Sequence, residues 1–284
     1  MPRPRPEPLI SSTRNPRVRA AADLRERQAR DAAGLTLVDG SRELARALAG
    51  GARVVEVFAD EGRLTPSGAA VVAAARSVGA LFVPVTGGVL DRLAYGARAE
   101  GVVATVAIPD LSLETLRLPQ DPLVVVLEGV EKPGNLGAVL RSADGAGADA
   151  VIAADPRTDL FNPNAVRASL GTIFTVPLAA GPGSAVRDHL AAAGIRIVAP
   201  RVEGAVPYTD LDLRGPVAFV LGSEAGGLTD AWAGDDVVAA SLPMLGVADS
   251  LNVSIAAAIL LYEARRQRGM PGATQRDTDP LTGG

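Results

Sequence analysis

Asn135 and Arg141 stand six residues apart in "EKPGNLGAVLRSADGAG", residues 131–147, directly after the apolar run "LVVVLEGV". Asn135 is at the start of a helix and Arg141 a turn and a half further in, off its apolar stripe. With neither cysteine nor a histidine cluster in the chain, catalysis must draw on such groups, on Asp, Glu, Ser or Tyr, on backbone or on a bound cofactor. Two readings of Arg141 are open on spacing alone. It pairs with Asp144 on a solvated face, or it works in a site. Gly145 and Gly147 suggest a nucleotide-phosphate turn, but they follow the helix, whereas a dinucleotide fingerprint places its glycines before it. That order counts against a nicotinamide-dependent enzyme. A Walker loop fails as well, because no Gly-Lys-Ser/Thr follows the turn. Lys132, the only lysine in the chain, is either a phosphate contact at the mouth of a site or a solvated cation.

Two further loops carry chemistry-bearing residues. "LGSEAGGL", 221–228, follows a buried strand; its glycines let backbone approach a ligand closely, and Glu224 is an acid in an apolar setting. "SLPMLGVADSLNVS", 241–254, joins a strand to the last helix. Asp249 or Ser250 can cap that helix, and Asn252 is a polar residue that packing can bury. The inventory excludes much else. There is no cysteine, so thiolate nucleophiles, disulfides and Cys-ligated zinc are out. The single histidine, His189, sits in "SAVRDHLAAAG" as an ordinary surface helix residue, and no multi-His metal site is possible.

The elements that must position these loops alternate along all 284 residues. A composition of 48% hydrophobic and only 3% aromatic residues suits helices packed on a sheet. The expected organisation is a disordered Pro/Arg-rich start (1–9), an α/β unit over 10–109, a linker at 110–122, a second α/β unit over 123–269 and a disordered tail (270–284). In the first unit "NPRVRAAADLRERQARDAAG" reads as one helix closed by Gly34, and Ser41 as an N-cap. In the second, "LVVVLEGV" reads as a parallel strand buried on both faces. "TIFTVPLA" reads as a strand, and "SLNVSIAAAILLYEARRQRG" as a closing helix with Leu251, Ile255, Ile259 and Tyr262 toward the core. The fold class is therefore α/β, with a mostly parallel C-terminal sheet carrying helices on both faces and a smaller α/β unit before it. No run of apolar residues is long enough for a membrane span, and the N-terminus lacks a signal-peptide core, so a cytoplasmic location is expected.

Charge is uneven. The net charge is −4, which argues against a uniformly basic nucleic-acid binder, but residues 1–30 hold eight arginines against three acids. Arg14, Arg17 and Arg19 lie in that segment, which is either a phosphate-contacting patch or a solvated helix face.

Taken in order, N-x-G-x-x-x-R (Asn135, Gly137, Arg141), L-G-x-E-x-x-G-L (Leu221 to Leu228) and P-M-x-G-x-x-x-S-L-N-V-S (Pro243 to Ser254) resemble the three signature motifs of the SpoU/TrmH family. These are RNA 2′-O-ribose methyltransferases of the knotted SPOUT superfamily. An R-x-S-x-G element, Arg167, Ser169 and Gly171, is similar too. The first unit resembles the ribosomal-protein-L30-like substrate-binding domain of that family. The resemblance implies a deep trefoil knot and S-adenosyl-L-methionine held by backbone at Gly222, Leu242 and Leu251. It also implies a catalytic set of Asn135, Arg141, Glu224, Ser250 and Asn252, with Arg167 on RNA phosphate, no metal, and a homodimer through the knot domain. The expected activity is methyl transfer to a ribose 2′-hydroxyl, with 23S rRNA preferred as substrate because a separate front unit suits a large structured RNA. Alternatives are a tRNA-directed or antibiotic-resistance methylase of the same fold, or a non-catalytic RNA-binding or ribosome-assembly protein.

Overall fold

The structure, a computed structural model, describes residues 8–95, 100–201, 205–223 and 226–269. The segments 1–7 and 270–284, expected to be disordered, lie outside the described residues, as does Glu224. Two compact units emerge. Elements are numbered in chain order.

The first unit begins with helices α1 (Pro16–Asp23) and α2 (Arg27–Ala33), where the sequence suggests one continuous helix. Asn15 caps α1 by accepting from Arg17 N–H at 2.9 Å, and Pro16 occupies the first turn. The break at residues 24–26 is stabilised by Arg30. This arginine is 1% exposed, and its Nη1 donates to the carbonyls of Leu24 and Arg25 at 2.6 and 2.7 Å. A buried guanidinium that satisfies the carbonyls at the end of α1 makes the interruption favourable.

There follow β1 (Leu35–Asp39), α3 (Ser41–Ala49), β2 (Val54–Ala59), α4 (Pro66–Ser77), β3 (Leu81–Pro84), α5 (Gly87–Leu93) and β4 (Val102–Ala107). The N-cap of α3 is Gly40 and not Ser41, because Ser41 donates N–H and hydroxyl to Glu100 at 2.8 and 2.7 Å. The strands form a sheet of order β1-β4-β2-β3, antiparallel except for β2 with β3. Val18, Ala21, Leu37, Phe58, Leu90 and Val103 lie in its core.

The second unit starts with residues 110–122. This stretch is more than a linker: it carries a 3-10 turn at Leu113–Thr115, and Leu113, Leu116 and Leu118 pack on the core of this unit. Next come β5 (Leu123–Glu128), α6 (Pro133–Ala146) and β6 (Ala150–Ala154). Residues 161–175, which the sequence assigns to the second unit, pack instead with the first. They carry α7 (Pro163–Ala168) and a 3-10 turn at Thr172–Phe174, where the sequence suggests strand. Within the first unit Thr36 donates its hydroxyl to Phe161 O at 2.7 Å, and Arg46 Nη1 donates to Leu170 O at 2.6 Å. Gly50 leaves room for Phe174, whose carbonyl oxygen would lie 2.0 Å from any Cβ at that position.

The chain then continues in the second unit through β7 (Leu178–Gly181), α8 (Gly183–Ala192), β8 (Arg196–Pro200), β9 (Val206–Pro207), β10 (Val217–Leu221), β11 (Val237–Ser241) and α9 (Val253–Gln267). All seven strands are parallel, in the order β7-β6-β5-β10-β8-β11-β9. Strands β5, β6 and β10 are buried throughout, as a sheet covered on both faces requires. Val124, Val126, Ile152 and Val220 pack with Val186 and Leu190 of α8 on one face, while α6 and α9 pack together and on the sheet.

The phase of α9 differs from the sequence reading. Its inner face is Ala256, Ala257, Leu260, Leu261 and Ala264, whereas Ile255 is 51% and Tyr262 46% exposed. At the α6 contact Tyr262 lies over Gly145, where an added Cβ would meet its Oη at 2.9 Å, and Arg265 Nε donates to Ala146 O at 2.6 Å. Arg268 fixes the end of α9 by donating to the carbonyls of Asp121, Pro122, Leu213 and Gly215. Among the described residues no helix is long and apolar enough to cross a membrane.

Candidate active site

Adjacent parallel strands β5 and β10 end side by side. From β5 the chain continues outward to β6 and β7, while β10 borders the strands on the other flank. Such reversals of strand order open a crevice at the carboxyl ends of the strands. Leu127, Glu128, Asn135, Gly222, Ser223 and Val253, with Lys132, line a narrow crevice there of about 330 Å³, open solvent included.

Asn135 reaches the crevice because α6 starts at Pro133, so residue 135 falls in the first turn. Asn252 arrives from 117 residues away in sequence. It, and neither Asp249 nor Ser250, caps α9: its Oδ1 accepts from Ser254 N–H at 2.9 Å and from Ser254 Oγ at 2.6 Å. Capping leaves its amide nitrogen to donate to Asn135 Oδ1 at 3.4 Å, joining the first and third motifs.

Gly222 has no space for a side chain. A Cβ would lie 2.1 Å from the Gly227 carbonyl carbon and 2.4 Å from Leu228 N. Backbone N–H groups of Ser223 and Gly227 each donate to the other's carbonyl at 3.1 and 3.0 Å.

Sequence reasoning missed Glu128. It is 5% exposed at the end of β5, accepting from Thr229 N–H at 2.8 Å and from the Thr229 hydroxyl at 2.6 Å. Its only signal was a charge closing an apolar strand.

Arg141 is exposed and forms no ion pair with Asp144, nor a hydrogen bond to any other described residue. On an α-helix its backbone stands about 120° around and ~9 Å along from that of Asn135, and no hydrogen bond joins the two among the described residues. Ser250 and Leu251 join Leu242, Met244, Arg201 and Ala256 around an open cleft of about 1080 Å³, solvent at its mouth included. Aliphatic walls with backbone and hydroxyl groups between them suit a nucleoside with an aliphatic tail. The residues lining this cleft fit S-adenosylmethionine in character; Gly222 lines the crevice with Asn135.

In the first unit Arg167 lies exposed on α7, its Nη1 3.5 Å from Tyr95 O. Burial holds the Tyr95 hydroxyl far above its usual range, and it donates to the carbonyls of Leu37 and Pro163. Ser169 and Gly171 of the same element shape a turn: Ser169 Oγ donates to Val166 O at 2.8 Å, and Gly171 adopts φ +85°. Arg14 and Arg19 are exposed, whereas Arg17 is paired with Glu56 at 2.7 Å.

The SpoU rRNA Methylase family matches residues 122–262, and an MRM3-like substrate binding domain matches residues 15–104. The chain is 38% identical over 225 residues to a 23S rRNA (guanosine-2′-O-)-methyltransferase RlmB of Burkholderia sp, covering 76% of this chain and 90% of that protein. It is 37% identical over 173 residues to a 23S rRNA (uridine(2479)-2′-O)-methyltransferase of Streptomyces viridochromogenes, covering 59% of this chain and 60% of that relative's length. The crystal structure of an AdoMet-bound rRNA methyltransferase from Sinorhizobium meliloti superposes with a TM-score of 0.83 at 30% identity, over 91% of this chain and 97% of that one. By these matches and by its three motifs, the chain belongs to the SpoU rRNA methylase family.

Proposed function

We propose that the protein is an S-adenosylmethionine-dependent 23S rRNA methyltransferase acting on a ribose 2′-hydroxyl. The observation that carries this reading is the Asn135–Asn252 contact beside Gly222. It unites the three motifs at the carboxyl ends of β5 and β10, in a chain whose relatives are named for that reaction. Gly222, Leu242 and Leu251 hold the cofactor through backbone groups. Once bound, S-adenosylmethionine supplies a methyl already activated by its sulfonium charge.

The protein's own work is positioning and charge stabilisation. Asn135, held by the Asn252 amide, orients the ribose. Arg141, exposed and without an ion-pair partner among the described residues, holds the hydroxyl or the neighbouring phosphate and stabilises the alkoxide as it develops. A guanidinium stays protonated in proteins, so it serves as a donor and not as the base; the 2′-hydroxyl proton leaves to solvent water as the oxygen–methyl bond forms and the sulfonium–methyl bond breaks. Glu224 supports the site, and Ser250 and Asn252 complete it.

Arg14, Arg19 and Arg167 of the first unit contact RNA phosphates. Arg17 does so less, because Glu56 engages it. A trefoil knot in the second unit, a homodimer through that unit and a cytoplasmic location complete the proposal. Leu245, Val247, Ile255 and Tyr262 are exposed in that unit, and where such side chains form one contiguous patch they mark an interaction surface.

Protein incubated with methyl-labelled cofactor and ribosomal RNA should place label on one ribose of the 23S species, located by reverse-transcription stops at low nucleotide concentration. Label confined to tRNA, or none at all, would overturn the assignment.

A further inference from the structure

We infer that Glu128 is a positioning residue for the cofactor site, acting through Thr229. Glu128 is the last residue of β5, the one charged side chain of an otherwise apolar strand, and it is 5% exposed. Both carboxylate oxygens are used on a single residue 101 positions away: Oε2 accepts from Thr229 N–H at 2.8 Å and Oε1 from the Thr229 hydroxyl at 2.6 Å. The same carboxylate lines the crevice that Asn135 and Gly222 line.

The arrangement fixes the second motif at both ends. At its start, Gly222 lies against the backbone of residues 227 and 228 with no room to shift toward it, and Ser223 pairs with Gly227. At its end, Thr229 is held to the rim of β5, a central strand buried along its whole length. The hydroxyl of Thr229 also accepts from Ala231 N–H at 3.3 Å, so the restraint extends into the 3-10 turn that follows. Hydrogen bonds to a buried carboxylate are about twice as strong as neutral ones, and a half-satisfied buried carboxylate is costly. Glu128 therefore ties the loop that presents Gly222 to the strand beside it. Binding sites held by such outer contacts lose affinity when those contacts go, although nothing touching the ligand has changed.

This inference rests on the methyltransferase reading above. The decisive comparison is Thr229→Val against Thr229→Ser in the full chain, with S-adenosylmethionine binding followed by calorimetry and folding by thermal melting. Valine keeps shape and the backbone N–H but removes the hydroxyl. It should weaken cofactor binding by about tenfold, raise KM for the cofactor by a similar factor and leave kcat at saturation within about twofold. Serine should restore wild-type values. Amide exchange at Ser223 and Gly227 should quicken in Thr229→Val while that of β10 is unchanged. Glu128→Gln, which offers one acceptor where two are needed, should behave like the valine variant. Should Thr229→Val fail to fold, Thr229→Ala is judged by the same criteria. A wild type that binds the cofactor alongside a valine variant of equal affinity overturns the role of Glu128 alone. So does weakened binding that serine does not rescue. A wild type that binds no S-adenosylmethionine overturns the methyltransferase reading and this inference with it.

Discussion

At Gly222 the limit on side-chain size is set by backbone. A Cβ would sit 2.1 Å from the Gly227 carbonyl carbon and 2.2 Å from its oxygen, a clash that no rotamer relieves. Gly222→Ala should therefore displace the second motif and cut S-adenosylmethionine affinity at least tenfold by calorimetry, with β10 below it unaffected. Arg141 is the opposite case: exposed, and unengaged by any described residue. Arg141→Ala should leave fold and cofactor affinity nearly intact while reducing single-turnover methyl transfer by a factor of at least 10². Turnover at the wild-type rate would remove it from the proposed mechanism. The types and order of the motif residues were readable in the sequence because the three loops follow apolar strands. Their meeting was not, since the Asn135–Asn252 contact spans 117 positions and depends on which strands are neighbours. Glu128 escaped notice for a related reason: a charge closing a strand looks like an exit to solvent until Thr229 is placed on it.

Element by element, local rules gave most of the helices and strands, and tertiary contacts decided the exceptions. The α1–α2 stretch has good helix formers throughout, yet Arg30 turns inward and takes the carbonyls of Leu24 and Arg25. Propensity cannot anticipate a buried guanidinium. Arg30→Ala should destabilise the first unit by about 3 kcal/mol through lost charge-assisted bonds and packing, seen as a lower midpoint in urea. In α9 both faces are apolar, so periodicity has two solutions. Ala256, Ala257, Leu260, Leu261 and Ala264 turned inward, while Ile255 and Tyr262 stayed about half exposed, Tyr262 with its hydroxyl over Gly145 of α6. If that outer stripe is the dimer contact, Ile255→Glu with Tyr262→Asp should yield folded monomers in sedimentation equilibrium. Melting should stay near the wild-type value at matched low concentration. A dimer of undiminished strength would move the interface elsewhere.

For the whole molecule, the unit boundary does not follow the chain in one cut. Residues 161–175 leave the second unit after β6 and return to it before β7, and in between they belong to the first. Phe161, Ile173 and Phe174 are buried there, with Phe161 and Phe174 rings 5.7 Å apart. Thr36 and Arg46 satisfy the carbonyls of Phe161 and Leu170. A cut at residue 109, the boundary that composition suggests, would strip this segment of its partners and expose three large apolar side chains. The fragment 110–269 should therefore bind a hydrophobic dye and aggregate at micromolar concentration. Replacing 161–175 in that fragment by a short Gly/Ser linker removes the exposed apolar surface while keeping every residue of the proposed cofactor site. That shortened fragment should stay monodisperse or dimeric in light scattering, bind S-adenosylmethionine close to the full chain's affinity, and methylate no ribosomal RNA, because Arg14, Arg19 and Arg167 are all gone. Loss of cofactor binding in the shortened fragment would show that 161–175 supports the site itself. Retained RNA methylation would show that the first unit is dispensable for substrate recognition.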